Sequence, residues 1–71
     1  MSAYVYPNYP SKAAVKRALK AGEIIKVKEN TPWGKEPVEN GIAYLEGPHY
    51  PKPHTWYGKG EVSNGRLVKI T

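Results

Sequence analysis

The sequence predicts an α+β domain in which one short helix packs on a small, mainly antiparallel sheet of three to five strands. Three observations predict this class: a helix-forming segment near the N-terminus, several short runs of alternating apolar and polar residues, and a late Asn-Gly turn. A small SH3-like or OB-like barrel is the alternative, because short strands joined by Gly and Pro turns also build such barrels. At 71 residues, the chain is expected to be a single domain, residues 1–71.

The helix is predicted over about residues 11–21, SKAAVKRALKA. Ser11 is a suitable N-cap, and Gly22 suits the left-handed position after the last turn. At the helical period of about 3.6 residues, small apolar side chains share one arc. These are Ala14, Val15, Ala18 and Leu19. The opposite side is basic, with Lys16, Arg17 and Lys20, and with Lys12 near its edge.

Short strands are predicted on both sides of this helix. The N-terminal AYVYP is expected to be an edge strand that ends at Pro7. After the helix, EIIKVKE alternates so that Ile25 and Val27 share one face. Residues 30–41 are rich in turn formers and are predicted to be a loop, which leads into the short strand IAYLE, residues 42–46.

The C-terminal segment WYGKGEVSNGRLVKI is predicted to be a hairpin. A two-residue Asn64-Gly65 loop would place Val62 opposite Leu67. A three-residue loop, 63–65, with a bulge at Gly65 would instead gather four apolar side chains on one face, which favours the bulged turn. These are Trp56, Val62, Val68 and Ile70. Gly58 and Gly60 would leave room on that face for a neighbouring side chain or for the helix.

Composition excludes some ways of stabilising or placing the protein. There is no cysteine, so neither disulfides nor thiolate-bound zinc can supplement a small core. No apolar run is long enough to span a bilayer, and MSAYVYPNYP lacks the features of a signal peptide, so a cytoplasmic location and no membrane partner are expected. The 11 basic and 6 acidic residues give a net charge of +5, which favours encounters with anionic partners.

The most distinctive stretch is EGPHYPKPHTWYGKG, residues 46–60. With KAGE, PWG and NGRLVKI, it resembles small uncharacterised proteins encoded by tailed bacteriophages and prophages, in which Gly-Pro-His-Tyr-Pro precedes a Trp-Tyr pair. The resemblance covers most of the chain, and Gly47 to Tyr57 carry nearly all of its specificity. It implies expression in an infected bacterial cytoplasm and a role in adjusting host machinery. That group has no assigned activity, so no functional residue is transferred from it.

His49 and His54 are the only histidines, and imidazole is a good ligand for zinc or nickel. A structural zinc site takes four ligands, and the others would have to come from Glu46, Glu61 or another chain. We therefore expect no metal and no other cofactor. The imidazoles are expected instead to bond backbone carbonyls near the prolines.

An enzyme is not expected either. The candidate nucleophiles Ser2, Ser11 and Ser63 lie at the terminus, at a helix cap and in a turn. His49 and Glu46 would make an acid–base pair, but so small a core hardly builds a pocket that excludes water. No glycine-rich turn is followed by a helix with Lys-Ser or Lys-Thr, the pattern of a phosphate loop.

The leading prediction is a protein-binding module that uses an aromatic and proline-rich loop, because Tyr and Trp are enriched at interfaces. The predicted contact residues are Trp33, His49, Tyr50, Trp56 and Tyr57. Closure of the core by the same rings is the competing interpretation. The alternative function is nucleic-acid binding by the basic helix face and the following strand. Its residues are Lys12, Lys16, Arg17, Lys20, Lys26 and Lys28. The partner's identity and the choice between a monomer and a small homo-oligomer stay open.

Overall fold

The computed structural model describes residues 2–71, and these form one helix and a six-stranded mixed sheet. The helix α1 is Lys12–Lys20, and the strands are β1 Ser2–Tyr6, β2 Lys26–Thr31, β3 Gly34–Pro37, β4 Gly41–Gly47, β5 Trp56–Ser63 and β6 Arg66–Ile70. The strand order is β3-β2-β1-β4-β5-β6. Only β1 and β4 pair in parallel among the described strands. The α+β class is confirmed, but the prediction of three to five strands is wrong.

The helix forms where the sequence predicts it. The Ser11 hydroxyl accepts a hydrogen bond from the Ala14 amide at 3.1 Å, which satisfies one of the free donors of the first turn. Gly22 has φ +83°, the left-handed conformation that commonly follows a helix. Val15 and Ala18 are buried, and α1 packs over β5 and β6. The predicted apolar arc is therefore the side of α1 that covers the sheet.

The N-terminal strand β1 lies in the middle of the sheet, so its prediction as an edge strand is wrong. It pairs with β2 on one side and with β4 on the other. Ala3 and Val5 are fully buried, while Tyr4 and Tyr6 point to the opposite face. Small apolar side chains on one face let the strand lie under the core, and pairing on both edges satisfies its backbone groups. Pro7 does follow its last residue, as predicted.

The predicted loop over residues 30–41 contains the strand β3. It pairs with β2 from Lys28 opposite Pro37 to Thr31 opposite Gly34, with Pro32 and Trp33 at the turn. All residues of β3 are exposed. Because neither face of this strand is buried, its sequence needs no alternation of apolar and polar side chains and has none. Backbone pairing at the edge of the sheet, rather than burial, makes this segment a strand.

The β5–β6 turn has two residues, so the predicted three-residue loop is wrong. Val62 lies opposite Leu67, and Asn64 and Gly65 take φ values of +53° and +76°. The irregularity lies beyond the turn, where the register shift between Glu61 and Val62 leaves Val68 as an extra residue. This bulge exposes Val68, so that two other side chains of β6 enter the core. They are Leu67 and Ile70.

The glycines of β5 give room to neighbouring side chains, as predicted. A Cβ on Gly60 would lie 2.6 Å from Leu67 Cδ1 and 2.9 Å from Leu45 Cδ1. A Cβ on Gly58 would lie 3.1 Å from Cδ of Lys12, which reaches over from α1. The absence of side chains at these positions therefore lets both the core and the helix approach β5 closely.

The sheet curls around a core built mainly from Val, Ile and Leu. The largest side chains that are almost fully buried are those of Val5, Val15, Ile25, Val27 and Leu45. The Leu67 amide donates to the Ile25 carbonyl at 2.8 Å, which connects β6 to the residue before β2. A curled sheet is also expected for the small barrel that the sequence left as the alternative fold. The six strands nevertheless follow one another in an open, linear order. Among residues 2–71, no helix has the length and apolar character needed to cross a membrane.

Candidate functional site

One face of the sheet points away from the core and from α1, and we call it the outer face. Strand alternation and register determine which side chains it carries. Among them are Tyr4, Tyr6, Lys26, Lys28, Lys35, Ile42, Tyr44, Glu46, Tyr57, Lys59, Glu61 and Lys69. Tyrosine and lysine are therefore prominent on this face, which α1 does not cover.

Residues 48–55, which we call the histidine loop, fold back over β1 at the centre of the outer face. The His49 ring stacks on Tyr4 with centroids 4.5 Å apart and planes 14° apart, and its edge meets the Tyr6 ring at 4.7 Å. His49 Nε2 donates to the Val5 carbonyl at 2.6 Å. The Asn8 side chain accepts from the His49 amide at 3.0 Å. The predicted bond from an imidazole to a backbone carbonyl is thus confirmed for His49.

The second histidine joins two strands through a chain of hydrogen bonds. His54 Nε2 lies 3.0 Å from the Tyr4 hydroxyl, and His54 Nδ1 lies 3.3 Å from Glu46 Oε2. The Tyr50 amide donates to the same hydroxyl at 3.2 Å. All groups are satisfied when Tyr4 donates to Nε2 and the protonated Nδ1 donates to Glu46. This array holds the histidine loop against the sheet.

The two residues considered above as an acid–base pair, His49 and Glu46, are not partners in the structure. Glu46 contacts His54 rather than His49, whose ring is occupied by Tyr4 and the Val5 carbonyl. Among the described residues, no group of three or more His, Cys, Asp or Glu side chains is arranged to hold a metal ion. Each imidazole ring has its own partners: His49 contacts the Tyr4 ring and the Val5 carbonyl, and His54 contacts Glu46 and the Tyr4 hydroxyl.

The five predicted protein-binding residues do not form one surface. Trp56 is only 7% exposed, and its indole nitrogen donates to the Tyr9 carbonyl at 3.1 Å, so it belongs to the core. Trp33 is exposed at the β2–β3 turn, with β1 and β4 between that hairpin and Tyr57. Tyr50 is 81% exposed at the tip of the histidine loop. Only Tyr50 and Tyr57 combine exposure with proximity to that loop.

The predicted basic residues are split between the two sides of the sheet. Lys16, Arg17 and Lys20 are exposed on α1, and Lys12 is half-buried against β5. Lys26 and Lys28 extend from the outer face, where Lys28 Nζ lies 5.1 Å from the centre of the Tyr6 ring. The strand lysines therefore do not continue the basic field of the helix.

An exposed apolar and aromatic patch lies on β4 and β5, and we call it the tyrosine platform: Ile42, Tyr44 and Tyr57. Tyr44 is 64% exposed and Tyr57 is 61% exposed. Tyr44 pairs with Lys59, and Glu46 pairs with Tyr57, so the two tyrosines are diagonal neighbours. The sequence indicated that Tyr57 points outward, because Trp56 and the glycines alternate with it. The sequence did not indicate that Tyr44 lies beside Tyr57, because that contact depends on the register between β4 and β5.

The charges of the outer face are mainly positive, and its two carboxylates have basic neighbours. Glu46 contacts His54, and Glu61 Oε2 lies 3.9 Å from Lys69 Nζ. Lys35 Nζ lies 6.0 Å from the centre of the Tyr4 ring. Burial, and secondarily the neighbouring Tyr4, raises the pKa of the Tyr6 hydroxyl above its ordinary value of 10.0. Tyr6 is therefore a neutral phenol at physiological pH and adds no negative charge.

No family model matches the chain, and no curated protein or solved structure is significantly similar to it. The resemblance to phage-encoded proteins therefore stays a prediction.

Proposed function

We propose that the protein binds nucleic acid on the outer face of its sheet. The observation that carries this proposal is the excess of lysine on a surface that α1 leaves open. Five lysines share this face with two glutamates: Lys26, Lys28, Lys35, Lys59 and Lys69, with Glu46 and Glu61. Glu61 lies beside Lys69 and Glu46 lies beside His54, and the lysines of this face still outnumber its glutamates by five to two.

The arrangement suits a polyanion because the lysines are spread over four strands. Neighbouring strands lie about 4.8 Å apart, so phosphates can approach the ammonium groups of β2 and β3 on one side of the histidine loop and those of β5 and β6 on the other. Each phosphate neutralised releases condensed counterions, and this release provides most of the affinity of non-specific binding. Flexible lysine side chains also adapt to a backbone whose sequence is not recognised.

The helix offers a competing basic surface and therefore a matched control. Lys16 and Lys20 lie on α1, on the far side of the core from the outer face. Reversing two lysines on either surface changes the net charge by the same amount. The pair Lys28→Glu and Lys59→Glu tests the outer face, and Lys16→Glu with Lys20→Glu tests the helix.

Binding to a labelled oligonucleotide is measured by fluorescence anisotropy over a range of salt concentrations. We expect the outer-face pair to raise Kd at least tenfold and to reduce the log–log salt slope by roughly 2, since each phosphate contact contributes about one unit. We expect the helix pair to raise Kd less than about threefold through net charge alone. A larger loss with the helix pair would move the site to α1. Failure of the wild-type protein to bind at about 50 mM salt would reject the proposal.

We propose protein binding by the histidine loop as a second candidate function, in a bacterial cytoplasm. The observation that favours it is the exposed Tyr50 ring on a loop fixed by His49 and His54. A rigid aromatic side chain loses little entropy when a partner covers it. In a pull-down from bacterial lysate, Tyr50→Ala is expected to lose a specific protein that the wild type retains. Recovery of the same proteins by both would reject this candidate.

A further inference from the structure

We infer that the nucleic acid bound by the outer face is single-stranded and that two of its bases stack on Tyr44 and Tyr57. This inference rests on the proposed nucleic-acid function and names its substrate class. It starts from the two rings themselves, which are 64% and 61% exposed. Exposed aromatic rings beside lysines are the arrangement on which unpaired bases stack.

The register presents the two rings side by side. Tyr44 pairs with Lys59, and the next outward position of β5 toward its start is Tyr57. Diagonal neighbours of this kind lie about 7–8 Å apart, within reach of aromatic side chains. Two successive unpaired bases of an extended strand can therefore each meet one ring. In a duplex the base faces are already covered by neighbouring pairs, so these rings favour a single strand.

Charge next to the platform fits the phosphates of the same strand. Lys59 lies directly opposite Tyr44, so a phosphate that follows a base stacked on Tyr44 lies near an ammonium group. Ile42 continues the apolar surface on β4 beyond Tyr44. Glu61 lies opposite Ile42, and its carboxylate is 3.9 Å from Lys69 Nζ.

The histidine loop limits stacking to β4 and β5. Tyr4 is only 6% exposed, because His49 covers its ring. Tyr6 meets the edge of His49 and the ammonium group of Lys28. Neither ring of β1 is free to take a base, so a strand that crosses the platform meets the loop next to β1. The stacked segment is therefore short, and most of the remaining affinity comes from phosphate contacts.

The test compares a labelled eight-nucleotide single strand with a blunt duplex of the same sequence at one low salt concentration. The platform variants are Tyr44→Ser and Tyr57→Ser. The control is Tyr50→Ser, the same substitution at an even more exposed ring outside the platform. Circular dichroism verifies that each variant is folded.

We expect the single strand to bind at least tenfold more tightly than the duplex. Each platform variant should lose roughly 5- to 150-fold in affinity for the single strand, the range for one stacked base, and less than about twofold for the duplex. Tyr50→Ser should change either affinity less than about twofold. A loss with Tyr50→Ser that matches the platform variants would overturn the proposed location.

The two proposals fail in different ways. Equal binding of both nucleic acids, with neutral platform variants and a large effect of Lys28→Glu with Lys59→Glu, would overturn the single-strand inference and keep the proposed function. Absence of binding to either nucleic acid would overturn both.

Discussion

The two faces of β1 are both covered, but by contacts of different kinds. On the inner face, Ala3 and Val5 are fully buried among aliphatic side chains. On the outer face, Tyr4 is held by stacking on His49 and by hydrogen bonds to His54 and the Tyr50 amide. Burial of apolar side chains is non-directional, so it stabilises all the strands that contribute to the core. Hydrogen bonds are directional, so they hold only the donor and acceptor groups that are correctly placed.

This difference explains why the outer face has room for a ligand. The histidine loop covers β1 and leaves the tyrosine platform open, together with the lysines of β2 and β5. The inner face is covered by α1 over β5 and β6 and by the curl of the sheet. Stability therefore depends mainly on the inner face, and binding is expected to depend on the outer one.

Adjacent residues of β4 give the sharpest test of this division. Leu45 is 2% exposed and Tyr44 is 64% exposed, so they point to opposite faces. Leu45→Ala is expected to lower the free energy of unfolding by about 2–5 kcal/mol, through lost burial and a cavity. Tyr44→Ala should lower it by less than about 1 kcal/mol. Urea unfolding measures both, and similar losses would contradict the division.

Removal of one hydroxyl tests the hydrogen-bonded cover of β1. Tyr4→Phe keeps the ring that stacks on His49 but leaves His54 Nε2 and the Tyr50 amide without this partner. We expect a loss of about 1–2 kcal/mol in urea unfolding. Tyr57→Phe is the control at an exposed ring and should be nearly neutral. If Tyr4→Phe were equally neutral, stacking rather than hydrogen bonding would hold the loop.

The N-cap of α1 stabilises the helix that covers part of the inner face. Ser11→Ala removes the acceptor of the Ala14 amide and is expected to cost about 1 kcal/mol. Ser11→Asp supplies another acceptor and should restore most of that loss. Helical circular dichroism during thermal unfolding detects the difference, and equal stability of the two variants would show that the cap is unimportant.

The smallest effect on stability is expected for the ion pair between β5 and β6 on the outer face. Glu61 and Lys69 are 3.9 Å apart and both exposed, so solvent screens their attraction. Glu61→Gln should change the unfolding midpoint hardly at all, and the difference should not grow at low salt. A clear salt-dependent loss would mean that the outer face contributes more to stability than its exposure indicates.

Local signals in the sequence predict much of the inner face. The cap and the apolar arc locate α1, and alternation identifies Ile25 and Val27 as core residues. The strand β3 has no apolar alternation to reveal it, because its residues are all exposed. The sequence does not predict the bulge at Val68, because both possible turns place apolar side chains on one face. The choice depends on the packing of Leu67 and Ile70 in the core.

The outer face is harder to predict because it depends on pairing between distant segments. Tyr57 could be assigned outward from its neighbours in β5, but its proximity to Tyr44 requires the β4–β5 register. The separation of Lys26 and Lys28 from the helix lysines likewise requires knowledge of which face α1 covers. Neither relation can be predicted from the pattern of residues within a short segment of the sequence.

The central position of β1 has a consequence for the order of folding. The hairpins β2–β3 and β5–β6 close locally, but β1 must pair with β4, which lies far along the chain. Contacts of long sequence separation slow folding, because the entropy of loop closure is lost before they form. During synthesis, β1 can pair with β2 first, and its other edge stays unpaired until β4 emerges. The first strand is thus half-paired until the two parts of the sheet join.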